Sequence, residues 1–450
     1  MNRIQIALLI ISCLIIFSCN PVDKKGSQRD RTVQIKVVDK QYRIYRYGKP
    51  YYINGVCTQE GRYLRKLANS GGNSIRIHNT KNAKELLDSA QALGLTVMLG
   101  LELLPAGPQM DYNDEKAVDR QFNRIQKEII KYQAHPALLM WSIGNEVGLK
   151  LSPRNFFLER RLWIHIDKIA RMIHDLDPDH PVTSAIEGAG KLLYAKAFGD
   201  NIDLISINSY QSVHTLQEKI KRFGWEKPYI ISEYGPTGYW FRERTDWYTY
   251  VEQTSNEKRR FMVNAYKAIR SDSNQCLGSY AFYWGQKNEC TPTYFSFFTE
   301  SGDQTELVDG LQYSWTGSWP VKRSSTIISL DINNQPAAES IYLEPGKKCI
   351  ARFITPAHQS KAVLHWLIEK DDGELYFDPT KNQEKRMVIS KGILALPDSR
   401  SATNGSQAKG NSGHQFIFKA PVSTGPYRIF LFLENEQKIA TANACFYVVD

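Results

Sequence analysis

The chain has 450 residues and a hydrophobic fraction of 42%, enough to bury one barrel-sized domain and a smaller companion. Its mean hydropathy of −0.42 excludes a chain made mainly of membrane spans. The 57 basic and 47 acidic residues leave a net charge of +10, but no basic run and no nucleic-acid motif stands out, so the excess reads as a mildly basic solvated surface, suited to an anionic surface or substrate.

In chain order, residues 1–19 read as a targeting segment outside the fold. Arg3 supplies a positive start, and Ile4 to Phe17 is an almost unbroken apolar run, too short to span a membrane comfortably. It ends Ile16-Phe17-Ser18-Cys19, which resembles a bacterial lipobox and implies acylation of Cys19 as a lipid anchor. Asn20 is not the aspartate that commonly retains lipoproteins at the inner membrane, so the expected location is the outer membrane of a Gram-negative envelope. Residues 20–32 are polar and charged, a flexible tether. The five cysteines beyond Cys19 (Cys57, Cys276, Cys290, Cys349 and Cys445) are scattered and show no CxxC spacing, which argues against a zinc site or a disulfide framework. Cys349 and Cys445 leave open one pairing within the C-terminal region.

Val33 to Val37 and Tyr42 to Tyr45 predict a hairpin of the kind that covers one end of a barrel. Strands and helices then alternate: strands at Tyr51–Thr58, Ser74–His78, Thr96–Leu103, Ala137–Asn145, Val182–Ile186, Leu204–Asn208, Tyr229–Ser232 and Leu277–Trp284, with helices between them, such as the apolar stripe Val118, Phe122, Ile125, Ile129, Tyr132. Eight such units predict a parallel (β/α)8 barrel over residues 33–320, an α/β fold. An open doubly wound sheet is the main rival, and it lacks a Gly-rich nucleotide loop after the first strand. Past Trp319-Pro320 the texture changes to short β-type runs separated by turn clusters, which predicts an immunoglobulin-like β-sandwich over 321–450, packed on the barrel or serving as a glycan-binding module.

Two apolar strands end in a glutamate: Trp141-Ser142-Ile143-Gly144-Asn145-Glu146 on the fourth and Tyr229-Ile230-Ile231-Ser232-Glu233 on the seventh. One such glutamate alone reads equally well as a surface residue. As a pair at the C-terminal ends of barrel strands, where barrel active sites lie, they point to two-carboxylate chemistry. His135-Pro136 through Glu146 resembles the acid/base strand of clan A glycoside hydrolases, most closely family 2, and Lys227-Pro228 through Gly235 resembles the nucleophile strand of that family. The resemblance implies a retaining β-glycosidase without a metal or cofactor, with Glu146 as acid/base and Glu233 as nucleophile. By the same resemblance, Arg76 and His78 lie near the nucleophile, Asn145 contacts the sugar, Tyr210 hydrogen-bonds the nucleophile from strand six, and Trp284 forms the floor under the reacting sugar. Glu102 and Glu187 also end strands and are weaker candidates for substrate hydroxyls. The aromatic run Tyr239, Trp240, Phe241, Trp247, Tyr248 and Tyr250 reads as a loop that either extends the cleft or forms a small core of its own.

Family 2 members usually carry sandwich domains ahead of the barrel. The short stretch between Cys19 and Tyr51 departs from that pattern and implies an open cleft, with oligosaccharides or polysaccharides as the expected substrate. A transglycosylase on the same site and a non-catalytic glycan-binding lipoprotein are the alternatives; the pair of glutamates disfavours the second, since a binder needs neither.

Overall fold

The computed structural model describes residues 32–148, 155–357, 361–371, 387–396 and 410–449. The targeting segment, Cys19 and all of the tether but Thr32 fall outside this range. Eight parallel strands close into a barrel: Ile53–Cys57, Ser74–Ile77, Thr96–Leu101, Leu138–Asn145, Val182–Glu187, Ile205–Asn208, Tyr229–Tyr234 and Cys276–Ala281, each hydrogen-bonded to the next and the eighth to the first. The strands are buried on both faces, as a sheet wrapped by helices requires, which is why they read as continuous apolar runs. Long amphipathic helices, among them Glu115–Tyr132, Phe156–Leu176 and Ser255–Ser271, form the outer layer. Asp114 caps the first of these through the backbone N–H groups of Lys116 and Ala117, and Thr254 with Glu257 forms a capping box at the start of the last.

The N-terminal hairpin gains a third strand, so that Val33–Val38, Gln41–Arg46 and Lys49–Tyr51 form one antiparallel sheet. This sheet seals the end of the barrel where strands begin. Val33 N–H donates to the Asp179 carbonyl, Tyr42 N–H to that of Asn274, and the Arg46 guanidinium to that of Pro136, all on loops that lead into strands. Val33 and Ile44 pack into the cluster of Ile53, Met98, Leu139 and Leu277. The opposite end is left for the site.

The C-terminal region folds as two facing sheets. One contains Ile341–Leu343, Lys438–Val448, Gly425–Asn435, Ala362–Lys370 and Val388–Leu396; the other contains Gln335–Pro336, Ser329–Ile332, Lys348–Pro356 and Asn411–Lys419. The strand Lys438–Val448 is buried on both faces. Its Ala440, Ala442, Ala444 and Phe446 fill the sandwich core. The alternate residues turn to the barrel: Thr441 N–H donates to Ser255 Oγ and Asn443 Nδ2 to Glu252 Oε2. A two-residue strand from the barrel's tail, Gln304–Thr305, pairs with the same strand at Lys438 and Ile439. Cys57, Cys276, Cys290, Cys349 and Cys445 are all buried free thiols, so the pairing left open for Cys349 and Cys445 is not made.

Candidate active site

The fourth strand does not end regularly. Its register with the fifth slips between Ile143 and Asn145, and both Gly144 (φ +67°) and Glu146 (φ +51°) enter the left-handed region. This bulge re-aims the strand end, so that Asn145 and Glu146 both present side chains to the barrel mouth. Glycine is needed at 144 for its φ and because an added Cβ would meet Leu103 and Val147 at 3.0–3.1 Å. A left-handed glutamate costs roughly 1–3 kcal/mol, which the surroundings must offset. The Glu146 N–H donates to the Ala185 carbonyl at 2.9 Å, and Asn208 Nδ2 donates to Glu146 Oε1 at 2.7 Å.

Glu233 lies at the end of the seventh strand and is 7% exposed. Its Oε1 accepts from Arg76 Nη1 at 2.7 Å and from His78 Nε2 at 3.0 Å; its Oε2 accepts from the Tyr210 hydroxyl at 2.9 Å. Arg76, at 1% exposure, also donates to the Ser232 carbonyl at 3.1 Å and through Nη2 to Asn145 Oδ1 at 2.6 Å. One guanidinium therefore braces the ends of the fourth and seventh strands against each other. Gly235 makes room for this closure, since a Cβ there would stand 2.8 Å from the Phe282 carbonyl oxygen and 3.2 Å from the Tyr210 ring.

The two carboxyls are driven apart in acidity. Burial alone would raise Glu233, but the hydrogen bond from His78, the charge of Arg76 and the Tyr210 hydroxyl outweigh it and hold it down at about 2. His78 lies below its ordinary value, first through burial and then through Arg76, so it acts as a neutral imidazole donating Nε2–H, and Arg76 supplies the positive charge. Glu146 moves the other way, to about 7. Enclosure by the pocket walls is the first cause and the negative charge of Glu233 the second, with Glu187 adding to it. Glu146 remains open to solvent at the mouth, so the nearby charge of Glu233 is the firmer of the two causes. At neutral pH one carboxyl holds its proton in part and the other is fully ionised.

Of the residues singled out from sequence, Arg76, His78, Asn145, Tyr210, Glu146 and Glu233 converge on this one network. Trp284 does not. It is fully buried, its indole donates to the Tyr63 carbonyl at 3.1 Å, and it packs edge-on to Phe297 and Phe298. The backbone N–H of Trp284 is tied to the Cys57 carbonyl, which draws the indole beneath the loop that follows the first strand, away from the mouth. Phe282 stands at the site instead, edge-on to His78 at 6.5 Å and to Tyr210 at 6.2 Å. Glu187 is exposed and reaches Glu146 only through its charge, and exposed Glu102 offers its carbonyl to Arg124. Trp240 lies on the rim with its ring 5.3 Å from Tyr210 and 46% exposed.

Sequence reasoning missed Asn208. Besides Glu146, its Nδ2 donates to Asn145 Oδ1 at 3.1 Å, while its Oδ1 accepts from Ser232 Oγ at 2.7 Å. The only available signal was its position as the last residue of a buried strand, next to Tyr210. Among the described residues, Cys57, His78 and Glu233 form the one group of His, Cys and acidic ligands close enough together to hold a metal. The donor set fits an ion poorly, because Arg76 already sits on Glu233 and burial pushes the Cys57 thiol up, keeping it protonated.

The barrel resembles known proteins. The β-glucuronidase of Chlorocebus aethiops is 26% identical over 235 residues, covering 45% of this chain and 33% of that protein, and the human enzyme is 26% identical over 221 residues, covering 42% and 31%. This chain thus spans about a third of the length of the curated relatives it matches. Among solved structures, Bacteroides uniformis β-glucuronidase shares 13% identity at a TM-score of 0.50, over 93% of this chain and 48% of that one. A form of Bacteroides uniformis β-glucuronidase 2 covalently bound to cyclophellitol-6-carboxylate aziridine shares 14% at 0.50, with the same coverage. At these identities the structures attest a shared fold. The model of the TIM barrel domain of glycosyl hydrolases family 2 matches residues 62–314, more than half of the chain, and both strand-end glutamates fall within it, so the chain belongs to that family.

Proposed function

We propose that the protein is a retaining β-glycoside hydrolase that works by double displacement, with Glu233 as nucleophile and Glu146 as acid/base. The observation that carries this reading is the opposed ionisation of the two carboxyls, about 2 for Glu233 and about 7 for Glu146. An ionised Glu233 attacks the anomeric carbon while protonated Glu146 gives its proton to the leaving oxygen. Glu146, now ionised, then takes a proton from the water that attacks the glycosyl-enzyme, and the anomeric configuration is kept. Arg76 and His78 direct one oxygen of Glu233, and the Tyr210 hydroxyl restrains the other.

The curated relatives are named β-glucuronidases, so β-glucuronides belong in a first substrate panel beside β-linked oligosaccharides. The exposed ring of Trp240 at the rim favours the longer substrates, since sugar CH faces stack on aromatic rings. We also propose that Cys19 carries a lipid anchor, a reading that rests on Ile16-Phe17-Ser18-Cys19.

The mechanism is tested with Glu146→Ala and a dinitrophenyl glycoside. That leaving group departs without a proton, so the first step survives while ordinary glycosides lose the roughly 10²–10⁴-fold that general acid/base catalysis supplies. The glycosyl-enzyme then accumulates, and azide restores turnover with a product of unchanged anomeric configuration. Glu233→Ala abolishes hydrolysis of every substrate. Inversion of configuration by the wild-type enzyme would refute the proposal.

A further inference from the structure

Tyr239, Trp240 and Phe241 form a short 3-10 turn after the nucleophile strand. Trp240 stands edge-on to Tyr210, which holds Glu233, and Tyr239 packs edge-on to Trp240 at 4.8 Å and to Tyr250 at 5.1 Å. The far limb of this rim segment is held at Glu252 by Lys258 of the helix Ser255–Ser271 and otherwise by the sandwich. The buried Arg428 donates through Nη2 to the Tyr250 carbonyl at 2.9 Å, while its other nitrogens are fixed by Asp371 and Asn443. Ser340 Oγ accepts from the Asp246 N–H at 3.0 Å, and the Tyr342 hydroxyl donates to the Asp246 carboxylate at 3.0 Å. Trp247 wedges between Tyr342 and Tyr447, with ring centroids 5.6 Å from each. Three separate stretches of the sandwich therefore grip one loop of the barrel, and that loop carries the most exposed tryptophan ring on the rim.

We propose that the sandwich is a positioning part of the active site: by clamping residues 244–252 it sets Trp240 at the mouth as a stacking platform for a sugar unit of the substrate beyond the one that reacts. Trp247, Tyr342 and Arg428 are positioning residues in this arrangement, and the substrate class it selects is β-linked oligosaccharides rather than glycosides of small alcohols. The substrate side of the proposal rests on the glycosidase reading; the clamp does not.

A double-mutant cycle on the full-length protein tests both. Trp247→Ala loosens the clamp from within the loop and Trp240→Ala removes the platform. Each is expected to raise KM for oligosaccharides by roughly tenfold, equivalent to about 1.4 kcal/mol, with kcat changed far less. The double variant is expected to be no worse than either single one, because the clamp acts only through the platform. Additive losses, or a fall in kcat with KM unmoved, overturn the proposal. Hydrogen exchange is read in parallel: peptides covering 239–252 lose protection in Trp247→Ala while those of the seventh and eighth strands keep theirs. Unchanged exchange in 239–252 refutes the clamp even if the wild-type protein cleaves no glycoside, the outcome that would instead remove the glycosidase reading. Should Trp247→Ala fail to fold, Tyr342→Phe removes only a hydroxyl from a half-exposed ring and is read by the same two measurements.

Discussion

Asn208 is the side chain that ties the two carboxyl arms together. Its amide oxygen faces two donors, Ser232 and Arg76, and its nitrogen faces two acceptors, Asn145 and Glu146, so both ends are satisfied and the amide has one orientation. The bond to Glu146 stabilises the ionised carboxylate and so lowers the pKa that burial and Glu233 raise. Removing it moves Glu146 further up. Because Glu146 must be protonated to donate, Asn208→Ala should shift the basic limb of the kcat/KM profile to higher pH. The lost hydrogen bond to a charged group, worth about 1.5–3 kcal/mol, should cost roughly ten- to a hundredfold in rate. A basic limb that stays in place or moves down would contradict this. Glu233→Gln should act in the opposite sense on the same group: it deletes the negative charge beside Glu146, so the Glu146 carboxyl titrates below its wild-type value of about 7, a shift visible by difference infrared spectroscopy.

At the scale of single elements, the close approach of the seventh and eighth strands depends on a bare backbone at Gly235. A methyl group there meets a carbonyl oxygen, which cannot swing aside as a side chain would. Gly235→Ala should cost about 1–3 kcal/mol of stability and push Tyr210 off Glu233, so that activity falls more steeply than the melting temperature implies; calorimetry beside initial rates checks both. The barrel was legible in the sequence because strands covered by helices on every side are continuous apolar runs, and because two of them stop at a glutamate. Arg76 and His78 were legible through the resemblance to family 2, which sets two such residues at the end of the second strand near the nucleophile. What was hidden depended on backbone direction. Trp284 has the residue type a sugar floor requires, but its backbone bond to Cys57 turns the indole into an apolar box, and Phe282 stands against His78 and Tyr210 instead. Asn208 read only as the last residue of a strand because its partners are distant in sequence. The third strand of the N-terminal sheet, Lys49–Tyr51, has too little apolar pattern to announce itself, and Gln304–Thr305 is a strand only because the sandwich offers it an edge.

At the scale of the whole molecule, Glu306 lies where barrel, linker and sandwich meet. It is buried at the start of helix Glu306–Thr316, accepts from Ser255 and Thr326 at 2.6 Å each, and has Arg259 at 3.8 Å. Burial raises it from 4.5 to about 7 despite these partners. A carboxyl whose folded value is raised binds its proton more tightly when folded, so its contribution to stability falls as pH rises from about 4.5 to about 7. Glu306→Gln removes that dependence. Its melting temperature relative to wild type should therefore improve between pH 5 and pH 8; a gap that stays constant would place the ionisation elsewhere. The lipid-anchor proposal is tested at the same scale, where Cys19→Ala should move the protein from the membrane fraction to the soluble one.

The sheet that seals the lower end of the barrel also marks the end by which the molecule would be held. The chain enters the fold at Val33, on loops leading into the strands, while Glu146 and Glu233 open at the far end. A protein tethered through Cys19 would therefore be attached at its closed base, with its mouth at the end away from the attachment. Attached in that way, it would leave the mouth free to meet a polymer too large to approach the membrane.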